Sequence, residues 1–388
     1  MKEALALILD SAPLTWTSQE DRHLLLCREL VARGIQPVLV FSAPLKDFEQ
    51  KFLDAGALVF DISLEKGPLH FYRRLRKVFK DNNVTLAHII FFDYFSPMTW
   101  IVRAAGVKHI IYEMQNSGIF RATSWKKLLL RARTMIMTAP MTRVIAISEF
   151  VREQLVKAGI SKEKIIVRYL GIDTERFTPD ASSKEEWIRR FNLGPGQIIA
   201  STVSYLRPFK NPDILVEAFR ELKTRNVPVR LFVAGGGEML PGLKELSKKL
   251  DVEDYIHWLG NVSDPKSLLQ ASDMFLLAST GEAFGLVLAE AMACGAPIVG
   301  TRSGSLPEVV EEGKTGLLVP PRNFEELATA IQVLSTDPAL RHQMSAQAQE
   351  RVKNHFTVQD AVIKTLDIYK MLGLRGTRGE SLADGRNS

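Results

Sequence analysis

Residues 279–307 read STGEAFGLVLAEAMACGAPIVGTRSGSLP, and a strand-like apolar run, Asp273–Leu277 (DMFLL), leads into them. Thr280, Gly281, Glu282 and Gly285 interrupt the apolar pattern. From Leu286 to Cys294 a helical pattern follows with almost no polar residue, Gly295 stops it, and a second strand pattern covers Pro297–Gly300. Strand, loop, helix and strand in that order predict a parallel βαβ unit. Glu290 is the only charged side chain of the helix. A carboxylate on an apolar, buried helix is costly unless something hydrogen-bonds it. Its partner is either a core Arg or Lys or the hydroxyl groups of a ligand, and the apolar flanks favour the ligand. Glu282, in the loop before the helix, supplies a second carboxylate.

The same alternation extends in both directions. Strand-like runs at Leu5–Leu9, Pro37–Phe41, Leu58–Phe60, His88–Phe92, His109–Tyr112, Val144–Ile147 and Ile165–Val167 precede a linker, Gly171–Ser183, punctuated by Gly, Pro, Asp and Ser. Further runs at Ile198–Val203, Arg230–Ala234, Tyr255–Trp258, Met274–Leu277, Ile298–Gly300 and Gly316–Val319 follow it. Helical patterns separate them, among them Ser18–Arg33, Pro68–Asp81, Pro212–Thr224, Met239–Leu250, Pro265–Ala271 and Phe284–Cys294. The expected fold is α/β, with two Rossmann-like doubly wound domains over 1–175 and 176–355. A C-terminal helix, 356–374, is expected to return to the first domain. The polar tail 375–388 is expected to be disordered. Ligands of such sheets bind beyond the carboxyl ends of the strands, so the cleft between the domains is the expected site.

A chain of 388 residues is longer than one hydrophobic core usually serves. Its 46% apolar and 24% charged residues are ordinary for a soluble enzyme. No apolar run approaches the ~20 residues that span a bilayer, and MKEALALILD at the start reads as a buried strand rather than a signal peptide. Cys27 and Cys294 are far apart in sequence, which points to a cytoplasmic protein without disulfides. The formal charge of +6 is lopsided: residues 1–150 hold 20 Lys and Arg against 14 Asp and Glu, and the other residues balance at 30 each. Two segments concentrate the excess, Phe71–Lys80 (FYRRLRKVFK) and Trp125–Arg133 (WKKLLLRAR). They suit either an anionic membrane surface or an ordinary solvated helix face. No nucleic-acid motif accompanies them.

The histidines show no metal-ligand spacing, and no D-x-D occurs. Phosphate would therefore be held by backbone N–H groups, helix N-termini and Lys or Arg, without metal or other cofactor. Val203–Asn211 (VSYLRPFKN) follows a strand and precedes a helix, placing Arg207 and Lys210 where two cations suit a diphosphate. Glu282 can accept two sugar hydroxyls and Glu290 the two ribose hydroxyls of a nucleotide. The helix N-terminus after Gly285 aims N–H groups at the same place. Ser303–Ser305 is expected to form another phosphate-facing turn. Phe232–Glu238 (FVAGGGE), with Gly236 at its centre, hints at a dinucleotide site, but the G-x-G-x-x-G frame needs glycine where Leu240 stands.

Taken together these stretches resemble the retaining glycosyltransferases of family 4, which have the GT-B fold. The resemblance rests on the E-x(7)-E stretch Glu282–Glu290, AISEFVREQL from Ala146, YLGIDTERF from Tyr169, the Lys210 segment, LFVAGGGE from Leu231 and GKTGLLVPP from Gly313. It implies a hexose-type sugar moved from a nucleoside diphosphate donor to an acceptor hydroxyl, metal-independently and with retained anomeric configuration. The acceptor would be a glycan or a lipid-linked or polysaccharide precursor. Glu282 would hold the donor sugar, Glu290 the ribose and Lys210 the diphosphate. Backbone at Phe284, Gly285 and Leu286 would contact sugar or phosphate, Gly236 would sit beside the donor, and Asn261 and Val262 would line the base pocket. The chain departs from the family at three places. Tyr205 stands where Arg is usual, so that Arg207 would take over at the diphosphate. YEMQNSG (112–118) lacks the usual histidine, leaving Gln115 and Asn116 nearest the acceptor. The first loop, DSAPLTWTSQED (10–21), lacks the usual glycines, so Ser11 and Ala12 would face the acceptor. The rival reading is a catalytically weak nucleotide-sugar-binding protein.

Overall fold

The computed structural model describes residues 3–10, 16–43, 45, 48–63, 67–90, 96–116 and 124–376, with backbone alone at 68 and 124–130. The chain divides into two compact units, Met1–Tyr169 with Val358–Ser388, and Leu170–Thr357.

In the first unit seven strands form one sheet: β1 (Ala4–Leu9), β2 (Gln36–Phe41), β3 (Leu58–Asp61), β4 (Val84–Ile90), β5 (His109–Met114), β6 (Arg143–Ala146) and β7 (Ile165–Val167). Their order is 3-2-1-4-5-6-7, every pair parallel. Helices α1 (Ser18–Ala32), α2 (Glu49–Asp54), α3 (Pro68–Asp81), α4 (Met98–Ala104), α5 (Ser124–Thr138) and α6 (Glu149–Lys157) alternate with them. β1 is buried at every residue, which is why it reads as an unbroken apolar run: helices cover a parallel sheet on both faces. α1 opens on a capping box between Thr17 and Glu20, which satisfies two otherwise orphan N–H groups.

The second unit holds β8 (Ile198–Val203), β9 (Val229–Ala234), β10 (Ile256–Gly260), β11 (Met274–Leu277), β12 (Ile298–Thr301) and β13 (Gly316–Val319), in the order 10-9-8-11-12-13. Its helices are α7 (Ala181–Arg190), α8 (Pro212–Thr224), α9 (Leu240–Lys249), α10 (Lys266–Ala271), α11 (Leu286–Ala293), α12 (Leu306–Val309), α13 (Phe324–Thr336) and α14 (Pro338–His355). Val216, Phe219, Leu231, Leu276 and Ile331 lie in its main core. The strand order reverses between β8 and β11, the position at which doubly wound sheets bind ligands.

Each of the thirteen strands among the described residues overlaps an apolar run seen in the sequence. Boundaries differ for local reasons. The helix expected from Phe284 starts at Leu286, because Gly285 takes a left-handed conformation (φ 78°) as its N-cap. The fourth strand starts at Val84 rather than His88, and Phe91 and Phe92 lie outside the described residues.

The domain boundary drawn after residue 175 is corrected to Leu170. The Ile172 N–H donates to Phe356 O at 2.9 Å, and Ile172 bridges Thr357, which ties 170–175 into the second unit. The last helix, α15 (Val358–Met371), packs on α1 in the first unit. Of the tail, the Arg375 N–H donates to Glu3 Oε2 at 3.2 Å, so its first residue is held; residues 377–388 lie outside the described residues.

Candidate functional site

In the second unit the loops at the carboxyl ends of the strands are stitched to one another. Lys210, after β8, places Nζ 2.5 Å from Glu282 Oε2, after β11, with the two side chains 17% and 14% exposed. The Thr280 N–H donates to Phe209 O at 2.8 Å, closing the same two loops. From the β12 side the Ser305 N–H donates to Glu282 O at 3.0 Å. A side chain at Gly304 (φ 62°) would strike the Glu282 backbone N and O, each 2.6 Å from its Cβ position, so only glycine lets this turn close. The Ser303–Ser305 turn, expected to face phosphate, thus braces Glu282, and Ser305 is fully buried.

Glu290 lies on α11 one turn after Leu286, and both are half-buried, as is Val287 between them. The expectation of a buried carboxylate is corrected: Leu288, Ala289, Ala291 and Met292 supply the buried side of the helix, and Glu290 lies on its open stripe. Phe284 is buried, its ring edge-on to Phe356 at 5.5 Å, so what its position offers a ligand is backbone. Asn261 and Val262 are exposed after β10. Gly235–Gly237 serve close backbone packing. Cβ atoms at Gly235 and Gly237 would lie 1.9 Å from Ser204 O and 2.5 Å from Leu206 O, and one at Gly236 would lie 2.7 Å from Asn261 Oδ1. Arg207 is not drawn to either carboxylate. It is exposed, with its guanidinium over the Tyr205 ring at 4.7 Å, an arrangement stabilised by the ring quadrupole. Burial, and then the nearby Glu290 charge, push the Cys294 thiol up to about 12, which leaves it inert as a nucleophile.

Sequence reasoning missed Asn211. It is buried in a left-handed conformation (φ 46°) as the N-cap of α8. Its Nδ2 donates to Ala278 O at 3.0 Å and to Thr280 Oγ1 at 3.3 Å. Asn next to Lys210 and before Pro212 was the available signal, since Asn tolerates that backbone region better than most residues.

The first unit holds a second missed feature, a buried charge cluster. Arg22 of α1 grips Glu113 of β5 with two bonds, 3.0 and 2.9 Å. Arg168, after β7, donates to Glu113 Oε2, and His88 Nε2 of β4 lies 3.4 Å from it. His88 Nδ1 is 2.7 Å from the Tyr369 hydroxyl of α15, and His23 Nε2 is 3.2 Å from Arg22. All six are buried. Burial works to raise the Glu113 carboxyl, but Arg168, Arg22 and His88 together hold it well below the usual carboxylate range. Burial lowers both His88 and His23, keeping them neutral, and pulls Arg168 down to about 10. Gln115 Nε2 donates to Glu113 Oε1 at 2.5 Å, so the half-buried Gln115 is oriented by this cluster. Asn116 beside it is exposed. Ser11 and Ala12 lie outside the described residues.

On α3, the apolar residues Phe71, Leu75, Val78 and Phe79 are buried in the unit's own core. The outward face carries Arg73, Arg74, Arg76, Lys77 and Lys80, none paired with a carboxylate among the described residues. Trp100 of α4 and Met135 and Ile136 of α5 are exposed, and Trp100 Nε1 donates to Ile136 O at 2.9 Å. In Trp125–Arg133 the side chains up to residue 130 lie outside the described residues. No helix among the described residues is long and apolar enough to cross a membrane.

Comparison with known proteins places this architecture. The family model for glycosyl transferases group 1 matches residues 183–351, and that for glycosyltransferase family 4 matches residues 22–176. The chain is 36% identical over 182 residues to the N-acetyl-alpha-D-glucosaminyl L-malate synthase of Bacillus anthracis, covering 47% of each protein. It is 30% identical over 235 residues to the D-inositol 3-phosphate glycosyltransferase of Rhodococcus erythropolis, covering 58% of this chain and 52% of the relative. The matches thus span about half the length of these curated relatives. Among solved structures, a glycosyltransferase from Rickettsia africae superposes with a TM-score of 0.79 at 22% identity, covering 96% of this chain and 98% of that one. Anabaena HepE, in complex with UDP and glucose, does so with a TM-score of 0.79 at 20% identity, covering 95% and 99%. At those identities the structures speak for the fold alone. With both family models matched in order across the two units, the chain belongs to the family 4 glycosyltransferases and has the GT-B fold.

Proposed function

We propose that the chain is a retaining glycosyltransferase that moves a hexose-type sugar from a nucleoside diphosphate donor to an acceptor hydroxyl. The observation that carries this is the Lys210–Glu282 pair at 2.5 Å, held where β8 and β11 end and backed by the Gly304 turn. Paired, the two charges neutralise each other. A donor would draw them apart in role: Glu282 accepts hydroxyls of the sugar, and Lys210 stabilises the charge that gathers on the departing diphosphate. In this reading Glu290, half-buried on α11, takes the ribose, and Asn261 and Val262, exposed after β10, meet the base. The acceptor hydroxyl attacks the anomeric carbon on the face from which the diphosphate leaves, and its proton passes to the leaving phosphate. Gln115 and Asn116 of the first unit are the acceptor contacts in this scheme, with Gln115 aimed by Glu113.

The UDP and glucose bound to the Anabaena protein support a nucleotide-sugar donor. Lys210, as the cation at the diphosphate, would suit a metal-independent reaction. The acceptor is proposed to be a glycan, or a lipid-linked or polysaccharide precursor met at an anionic membrane surface by a cytoplasmic enzyme. The unpaired cations of α3 and the exposed Trp100, Met135 and Ile136 support that setting. The test is a thermal-shift panel of UDP, GDP, ADP and their sugars. A ligand that binds the fold raises its midpoint by mass action. One base is expected to stabilise the protein well above the others in wild type and less in Lys210→Ala; no shift with any base would refute the donor role.

A further inference from the structure

We propose that Arg322 is a positioning residue for the donor site, acting through Asn211 on the loop that presents Lys210. Arg322 follows β13 and has φ 61°. That is the left-handed region, which costs a non-glycine residue free energy, and such strain persists where the surroundings enforce it. Nothing in a turn between a strand and a helix requires arginine there, and glycine would adopt the same backbone without cost. What the arginine adds is its guanidinium. Its Nη1 donates to Asn211 Oδ1 at 3.1 Å, and Nη2 lies 3.6 Å from Asp213 Oδ2, in the first turn of α8.

Asn211 is therefore held from both ends of its amide. Its oxygen takes the Arg322 bond, and its nitrogen donates to Ala278 O and Thr280 Oγ1 of the β11 loop. The amide is fixed in one orientation, since swapping oxygen and nitrogen would set donors against Arg322 and an acceptor against a carbonyl. Lys210 immediately precedes it, and Glu282 is two residues beyond Thr280. The chain from Arg322 through Asn211 to Thr280 thus sets the register of the two loops that bring Lys210 and Glu282 together. Arg322 itself is 62% exposed on its side chain and has no described contact with Lys210, Glu282 or Glu290.

This inference rests on the donor role proposed for Lys210, and the experiment separates the two. The probe is whichever of UDP, GDP or ADP gives the largest thermal shift, titrated calorimetrically into wild type, Arg322→Gly, Asn211→Gly, the double variant and Lys210→Ala. Arg322→Gly relieves the left-handed backbone but removes the bond to the buried Asn211 oxygen, two effects of similar size and opposite sign, so its unliganded thermal midpoint should stay near wild type. Its nucleotide affinity should nonetheless fall about fivefold, the factor carried by one net hydrogen bond. Asn211→Gly should weaken binding at least as much, and adding Arg322→Gly to it should change nothing further. Unchanged affinity in Arg322→Gly, with Lys210→Ala weakened, overturns the inference and leaves the donor role standing. Additive losses in the double variant also overturn it, because the guanidinium would then act on the nucleotide directly. Unchanged affinity in Lys210→Ala refutes the donor role itself.

Discussion

Glu113 and Glu290 show what a lone carboxylate in an apolar segment can mean. Both sit in apolar stretches, one in IIYEM and the other in LVLAEAMAC, and only the second is singled out in the sequence. Glu290 turns out half-exposed on the open side of its helix, while Glu113 is fully buried and meets two arginines. Glu113 meets core arginines, the kind of partner weighed for Glu290. Breaking a buried pair leaves charge without compensation, at a cost of about 3–5 kcal/mol. Glu113→Gln is therefore expected to lower stability by that amount in denaturant unfolding, by leaving Arg22 and Arg168 underpaired; a loss near zero would contradict it. The same cluster sets a pH dependence. His23 and His88 protonate near pH 6.5 in the unfolded chain but only at lower pH in the fold. Below about pH 6.5 unfolding then takes up protons, so stability falls as pH drops, by up to about 1.4 kcal/mol per pH unit for each histidine. Glu113, depressed in the fold, adds a further loss once the pH passes below the usual carboxylate range. A thermal midpoint that is flat from pH 8 to 5 would contradict this.

At the scale of elements, what was legible followed from burial. Parallel strands covered on both faces read as apolar runs, so all of the strands could be found. The βαβ unit around α11 could be found because Gly285 and Gly295 punctuate it. What could not be read were bonds between distant loops. Arg22 and Glu113 are 91 residues apart, and Arg322 and Asn211 are 111; no local pattern marks either pair. α3 was legible in composition and misleading in geometry, since its aromatic and aliphatic residues belong to the core. Its outward face carries the cations together with Leu69, and further exposed apolar residues, Trp100, Met135 and Ile136, come from α4 and α5. Two sets of variants follow. Arg73→Glu/Arg76→Glu/Lys77→Glu should abolish flotation with vesicles containing phosphatidylglycerol, since each basic residue near an anionic surface contributes about 1 kcal/mol. Trp100→Ser/Met135→Ser/Ile136→Ser should weaken it while leaving the thermal midpoint in place. Equal flotation of wild type with phosphatidylcholine and phosphatidylglycerol vesicles would sink the membrane assignment.

For the whole molecule, the proposed reaction assigns different parts of the chemistry to the two units. The second unit has its carboxyl-end loops locked by backbone bonds, with Lys210 and Glu282 joined and Glu290 half-buried on α11. The first unit has its strand ends fixed by a buried charge cluster that ends on Gln115. The family rests on models matched over residues 22–176 and 183–351, whereas the proposed donor binding rests on a few side chains of one unit. Calorimetric titration of wild type and Glu290→Gln with UDP-, GDP- and ADP-glucose addresses that directly. One nucleotide-sugar is predicted to bind wild type, and Glu290→Gln to lose at least about tenfold in its affinity, as expected for a charged acceptor of hydroxyl bonds. Equal affinity in the two proteins would contradict the account.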